Sequence, residues 1–569
     1  MRLLDSRRLT GPSLMSREPV ALAEIGFEPG DDRARGLQLW ASEALRICAQ
    51  VGLAFDRPIV RGSARSAAVA FHAPIDVLLP ATDVNDLAVE GAALLLAGLP
   101  EALSAPACEA LRAKLDAARS PRLLSLQREA RARGLPFLWD DALVSVGHGR
   151  RSRSWPMGEL PEASSVPWAG LGRMPVALIT GTNGKTTSAR LLARIALLAG
   201  RTPGLASTDA IAVAGRVLDS GDFTGPVAAR TVLRHADVDL AVLETARGGI
   251  LRRGLAVEQA EVALLTNVAE DHLGEYGIDT ADDLAQAKAV IASVVVPSGR
   301  VVLNADDPRL VRLSGTFAAK TVLFSLDADA EAIRDHVARG GEAFALREGE
   351  LLRLSPAGSE PLLRASEVAL SFGGVARFNL ANALGAAAAA SALGLPRAAI
   401  LEGLRSFAPN AEDNPGRCNL VDAAGVAVLI DFGHNPHGLR ALAPLIDDLR
   451  RAAGGGRLFF ISGAAGDRSD ESLRALAAEL YAQAPYAVLL RDLEGYLRGR
   501  EPGEVPALIA AELRRLGMRD GSVRIAPTEG EALRRALAEA LPGDFVALLV
   551  HLEEEEVRAV LAERRTARA

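Results

Sequence analysis

The sequence predicts an α/β protein in three parts: an α+β N-terminal domain, a P-loop central domain and a Rossmann-like C-terminal domain. Three observations carry that prediction. From residue 176 onward, short apolar runs at 176–179, 240–243, 262–265 and 301–303 alternate with helical segments, the pattern of a parallel sheet buried between helices. A second series follows, with runs at 426–430, 458–461, 487–490 and 545–550 separated by helical stretches such as 439–452, 472–483 and 531–540. The first run of the first series leads through glycines into Lys185 and two threonines, and ligands in open sheets bind beyond the carboxyl ends of the strands.

Ahead of both series, residues 20–25 and 67–71 read as strands, and 36–50, 86–97 and 106–118 as helices. Residues 152–173 are rich in Ser, Pro, Gly and Trp without a period, which predicts a linker with a new domain just after it. Residues of about 315–370 suggest short strands and turns, and 379–393 an alanine-rich helix leading to the last domain. The expected division is 1–165, 172–407 and 408–569.

A length of 569 residues suits several domains of about 100–200 residues each. The balance of 49% hydrophobic and 24% charged residues is that of a globular chain. With 64 basic against 71 acidic residues, the basic excess of many nucleic-acid binders is missing, so no nucleic-acid partner is expected. Cys48, Cys108 and Cys418 are too scattered for a disulfide framework or a CxxC zinc site, which fits a reducing compartment and predicts the cytoplasm. Residues 1–19 contain no continuous apolar stretch and do not read as a signal peptide. The uncharged stretch 378–396 is mostly alanine with Asn379, Asn382 and a terminal proline, so it reads as a buried helix rather than a membrane span. Lysine occurs only at Lys114, Lys185, Lys288 and Lys320, arginine supplying the other cations. A position that keeps lysine in such a chain is one where an amine is needed.

The sharpest chemical signal runs from Gly181 through Thr182, Asn183, Gly184, Lys185 and Thr186 to Thr187, between a strand and a helix whose apolar face is Leu191, Leu192, Ile195 and Leu198. Glycines let backbone N–H groups wrap a phosphate at the helix N-terminus, a lysine reaches its terminal oxygens, and a threonine hydroxyl can ligate Mg²⁺. Ile179 stands where the strict phosphate-loop pattern has its first glycine. Glu244 directly follows the 240–243 run, where a carboxylate faces such a loop and can hold Mg²⁺. Asp271 and His272 follow the 262–265 run at the same edge.

GTNGKTT at 181–187, the strand-end Glu244, TN…DH at 266–272, NADD at 304–307, PGR at 415–417, DFGHNP at 431–436 and GDR at 466–468 resemble, in order, the motifs of the Mur ligase family. ETARGGILRRGLA at 244–256, GDFTGPVAAR at 221–230 and RGREPGEV at 498–505 resemble the Mur-ligase-like half of cyanophycin synthetase more than the peptidoglycan ligases. RRLTGPSL at 7–14, and the segment 130–153 containing LVSVGHGRRSR, are similar to that enzyme's N-terminal domain. The ATP-grasp module expected after that segment is missing, because the phosphate loop begins about 30 residues later.

The resemblance implies an ATP-dependent ligase that activates a carboxylate as an acyl phosphate and joins an amino acid to it. It implies that Lys185, Thr186 and Thr187 hold ATP phosphates and Mg²⁺, that Glu244 and His272 ligate Mg²⁺, and that Asn382 lies near the adenine. Arg417 and Asp431 would close over the nucleotide, with His434 and Asn435 beside them. Lys288, in AQAKAVIA, matches a family lysine that is often carbamylated to make a metal-binding anion. The partners implied are amino-acid and carboxylate substrates, with a homo-oligomer and a separate ATP-grasp ligase left open and no membrane. The rival reading is a nucleotide-binding subunit that regulates or docks onto such an ATP-grasp ligase.

Overall fold

The N-terminal sequence builds a four-stranded antiparallel sheet in which Arg2–Leu9 pairs with Val20–Gly26, that strand with Ser66–His72, and the last with Ile59–Gly62. The computed structural model describes residues 1–63, 66–99, 105–271, 273–549 and 553–566. Helices Arg33–Val51 and Pro80–Leu96 pack on the sheet through Trp40, Ile47, Val84 and Phe71. Asp32 caps the first helix by accepting from the Arg35 N–H, and Gly52, in the left-handed region at φ 75°, ends it.

The linker expected at 152–173 is instead part of this domain. Arg153–Pro156 pairs with Leu143–Val146, and Leu160, Val166 and Leu171 bury into the same core. Their apolar side chains enter from single 3₁₀ turns, so they follow neither the strand nor the helix period that sequence reading looks for.

Among the described residues the central sheet has eleven strands. From one edge they run Arg216–Ser220, Ala210–Val213, Pro203–Ala206, Leu240–Glu244, Val176–Thr180, Ala260–Leu265, Val295–Asn304, Lys320–Ser325, Glu342–Arg347, Glu350–Ser355 and Gly358–Arg364. The strands from Pro203–Ala206 to Glu342–Arg347 are parallel, and antiparallel strands extend both edges. Helices Lys185–Leu198 and Arg377–Ala392 cover one face through Leu191, Leu192 and Ile195 and a run of buried alanines. Leu198 stands outside that apolar face, 38% exposed. Small residues let the second helix lie close to the sheet: a Cβ at Gly385 would come within 3.2 Å of Leu264 and Phe324. Helix Ala281–Ser293 packs on the opposite face.

The C-terminal sheet runs Asn419–Ala423, Val426–Asp431, Phe545–Leu549, Leu458–Ser462, Ala487–Leu490 and Val523–Ile525, parallel except for the first pair. Among the described residues no helix is long and apolar enough to cross a membrane.

Candidate functional site

Val176–Thr180 lies between Leu240–Glu244 and Ala260–Leu265, so the segments leaving these three strands emerge side by side at one edge of the sheet. Loop 181–184 leaves the middle strand and enters helix Lys185–Leu198. Gly184 has φ 83°, and a Cβ there would fall 2.1 Å from Asn382 Oδ1. A Cβ at Gly181 would fall 1.8 Å from Thr266 Oγ1, so a side chain at either position would displace its neighbour.

The TN run braces the loop from the neighbouring strand. Asn267 accepts from the Thr182 N–H at its carbonyl and from the Asn183 N–H at Oδ1, both at 2.9 Å. The Thr266 hydroxyl donates to the Asn183 carbonyl at 2.6 Å. Lys185 folds back over the loop, Nζ donating to the Thr182 carbonyl at 3.0 Å. Burial pushes its pKa down, with Arg417 adding to the shift and the Glu244 carboxylate opposing it.

Glu244, 2% exposed, accepts from the Thr186 hydroxyl at 3.0 Å, and from the Thr208 hydroxyl and N–H at 2.7 and 3.0 Å. Thr208, which the sequence reading missed, follows Pro203–Ala206 and comes here because that strand neighbours Leu240–Glu244. Two hard oxygen ligands at the start of the phosphate-loop helix suit Mg²⁺. His272 lies outside the described residues, and among the described residues no cluster of three or more His, Cys, Asp or Glu forms a metal site. Lys288 is 4% exposed, and its Nζ donates to the Gly181 carbonyl at 2.8 Å. Burial first, then Lys185 and Arg247, push its pKa well below the usual lysine value. Asn382 sits against Gly184 and donates to Asn379 Oδ1 at 3.2 Å.

The C-terminal domain closes the other wall. Asn435 caps helix Pro436–Ala452 by accepting from the Gly438 N–H, and exchanges hydrogen bonds with Asn183 at 2.9 and 3.2 Å. His434 Nδ1 lies 2.9 Å from the Phe432 carbonyl. Arg417 stacks 4.1 Å from the Phe432 ring centroid and pairs with Asp209 at 3.4 Å. Asp209 also pairs with Arg190 on the phosphate-loop helix at 2.9 Å. Asp431 accepts from the Cys418 N–H and thiol, and burial raises its pKa against those bonds and Arg417. The resulting cleft, of about 1360 Å³, brings together the sequence-identified residues 182–187, Asn382, Arg417, Asp431 and His434. It also takes in Ser63 and Ser66 of the N-terminal domain, which no sequence signal marked.

Residues 179–390 match the family model of the Mur ligase middle domain, and 416–549 that of the Mur ligase glutamate ligase domain. Cyanophycin synthetase of Synechocystis sp. is 39% identical over 373 residues, 64% of this chain and 42% of the relative. The chain thus spans about two fifths of the length of that relative. The UDP-N-acetylmuramoyl-L-alanyl-D-glutamate–2,6-diaminopimelate ligase of Gloeobacter violaceus is 28% identical over 420 residues, 69% of this chain and 78% of that protein. Among solved structures, E. coli FolC in complex with DHPP and ADP superposes with TM-score 0.50 at 20% identity, covering 69% of this chain and 89% of that one.

Proposed function

The chain belongs to the Mur ligase family, and on that premise we propose that it is an ATP-dependent, ADP-forming ligase that joins an amino acid to a carboxylate substrate. The observation that carries the reading is the phosphate loop with Lys185 folded over it, beside the Thr186–Glu244 pair, in a cleft that also receives Arg417 from the C-terminal domain. A carboxylate oxygen attacks the ATP γ-phosphorus and the bond to ADP breaks. The amine nitrogen then attacks the acyl carbon, the phosphate leaves and the nitrogen gives up a proton.

Loop amides and Lys185 offset charge on the phosphoryl group in transit. Thr186, Glu244 and His272 would hold Mg²⁺, which when bound neutralises phosphate charge. Gly181, Thr182, Asn183, Gly184 and Thr187 complete the phosphate cradle, and Asn382, Arg417, Asp431, His434 and Asn435 enclose the nucleotide. Lys288 is the proposed carbamate: its buried Nζ lies against the Gly181 carbonyl, burial and the neighbouring cations push its pKa down, and the free amine would add CO₂ with release of one proton.

In the proposed division the N-terminal part, 1–165 extended through Leu171, precedes 172–407 and 408–569 and holds a preformed acidic acceptor, a role supported by Ser63 and Ser66 in the cleft wall. With one such site the chain forms one kind of amide bond in the cytoplasm, one ATP per bond, and a separate ATP-grasp ligase would supply the acceptor. The test is a mass-detected screen of amino acids against acidic peptides with ADP release as the second readout. Lys185→Ala should lower the rate about 10²- to 10³-fold. A variant that keeps more than half the activity overturns the assignment.

A further inference from the structure

The RGREPGE segment takes no part in the chemistry above, yet it holds the loop that reaches the cleft. Residues 463–469 lead from strand Leu458–Ser462 to helix Asp470–Ala482, whose N-cap is Ser469. Arg500 grips this loop from the side: Nε donates to the Gly466 carbonyl at 3.0 Å, and Nη2 to the Arg468 carbonyl and Asp470 Oδ1, both at 2.8 Å. Its remaining Nη1 donates to Glu504 at 2.6 Å, and the side chain is 16% exposed. The Gly466 N–H donates to the Tyr496 carbonyl at 2.8 Å, and a Cβ at Gly466 would fall 1.9 Å from the Leu497 carbonyl oxygen. Arg498 pairs with Asp467 beside it.

What the loop presents is Arg468. Its side chain is 6% exposed, and it crosses the cleft to pair with Asp271 of the central domain. Asp271 ends the run whose Asn267 and Ala269 hold the Thr182 N–H and hydroxyl of the phosphate loop. A continuous set of contacts therefore links Glu504 through Arg500, Arg468 and Asp271 to the phosphate loop.

We propose that Arg500 is a positioning residue: it fixes the 466–468 backbone so that Arg468 reaches Asp271 and holds the C-terminal domain closed over the nucleotide side of the cleft. A guanidinium is required because two loop carbonyls and the first carboxylate of the following helix are met in fixed directions, which an ammonium on a flexible stem cannot match. The proposal rests on the nucleotide site described above only for one of its two readouts.

The test uses the full chain with AMPPNP and Mg²⁺ as probe, and small-angle scattering of the same samples without nucleotide. Arg468→Met and Arg500→Ala should each weaken AMPPNP binding about tenfold and increase the radius of gyration. The double variant should be no worse than Arg468→Met alone, because Arg500 acts through Arg468. Arg500→Lys should fall between wild type and Arg500→Ala. Exchanging the charges, Arg468→Asp with Asp271→Arg, should recover compactness lost in either single reversal. Additive losses in the double variant, or an unchanged radius in every folded single variant, overturn the proposal. If the wild type fails to bind AMPPNP, the nucleotide reading falls, and the scattering comparison alone decides this one. A variant that fails to fold is replaced in the cycle by Asp271→Asn, which breaks the same pair from the other side.

Discussion

The two joints that assemble this molecule are made of different material. At the N-terminal joint, main chain meets main chain: the Thr10 N–H donates to the Arg253 carbonyl and the Leu255 N–H to the Pro12 carbonyl, both at 2.7 Å. Gly11 and Gly254 face each other so closely that a Cβ on the first would lie 2.2 Å from the Leu255 carbonyl oxygen. Arg7 Nε donates to the Leu251 carbonyl at 3.1 Å, and Arg234 of the central domain reaches Ser145, Asp140 and the Leu143 carbonyl. At the C-terminal joint the contacts are carried by side chains: Asn183 with Asn435, Arg417 with Asp209, Arg468 with Asp271, and Arg190 reaching the Pro415 carbonyl. A joint of interlocked backbone has one geometry, whereas long polar side chains can release and re-form their contacts. The first reads as a fixed wall of the cleft and the second as the side that opens for nucleotide.

The difference also explains the sequence strings. RRLTGPSL at 7–14 and ETARGGILRRGLA at 244–256 lie far apart in the chain, yet they are two halves of the N-terminal joint.

Breaking the fixed joint should have the largest effect. Gly11→Val forces side-chain carbon into a carbonyl oxygen that belongs to a strand-like backbone contact, and we expect a loss of about 3 kcal/mol, read as a fall in thermal midpoint. An unchanged midpoint would mean the joint gives way easily and the contrast between joints is false.

Acid should separate the joints next. His148 is 3% exposed in the same joint, its N–H bonded to the Gly172 carbonyl, and burial together with Arg173 lowers its pKa from the usual 6.5 to about 3. The folded state therefore binds fewer protons than the unfolded one between these values, and stability falls as pH drops from about 6.5 toward about 3. At pH 5 the loss attributable to this residue is about 2 kcal/mol. Urea denaturation of wild type and His148→Leu at pH 7.5 and 5 measures it, and equal pH dependence in the two proteins would discard the assignment.

The smallest effect belongs to the opening joint. Asn435→Ala removes a part-buried reciprocal amide pair and a helix cap, together about 1 kcal/mol. Nucleotide affinity should drop several-fold while the melting temperature of the N-terminal domain stays put. If the N-terminal transition moves as far as the C-terminal one, the joints are not independent.

Much of the central sheet was legible because buried parallel strands are short continuous apolar runs, and the phosphate loop because glycine, lysine and threonine there have a chemical reason to cluster. Lys288 stood out as one of four lysines, and the fold buries it against Gly181. Thr208 and Asp209 were not legible, since they meet Glu244 and Arg417 only through the sheet order, and Arg190 because its partner is that same Asp209. Edge strands were also missed: Arg2–Leu9 buries Arg7 while exposing Leu3 and Leu4, and Ile59–Gly62 is four residues long, so neither has a clear alternation. Among the described residues, helix Glu504–Arg515 escaped notice because its first turn carries a proline, which suits a helix start as well as a break.

The scarcity of lysine makes the cleft chemically addressable. Lys114 is exposed and paired with Asp83, and Lys320 is exposed at a strand start. Lys185 and Lys288 both lie within the phosphate-loop framework. An amine-selective acylating reagent therefore meets two surface amines, the half-buried Lys185 of the cleft wall and the buried Lys288, apart from the chain terminus. Replacing Lys114 and Lys320 by arginine would leave a protein in which the rate of side-chain amine labelling reports how often the cleft opens to solvent.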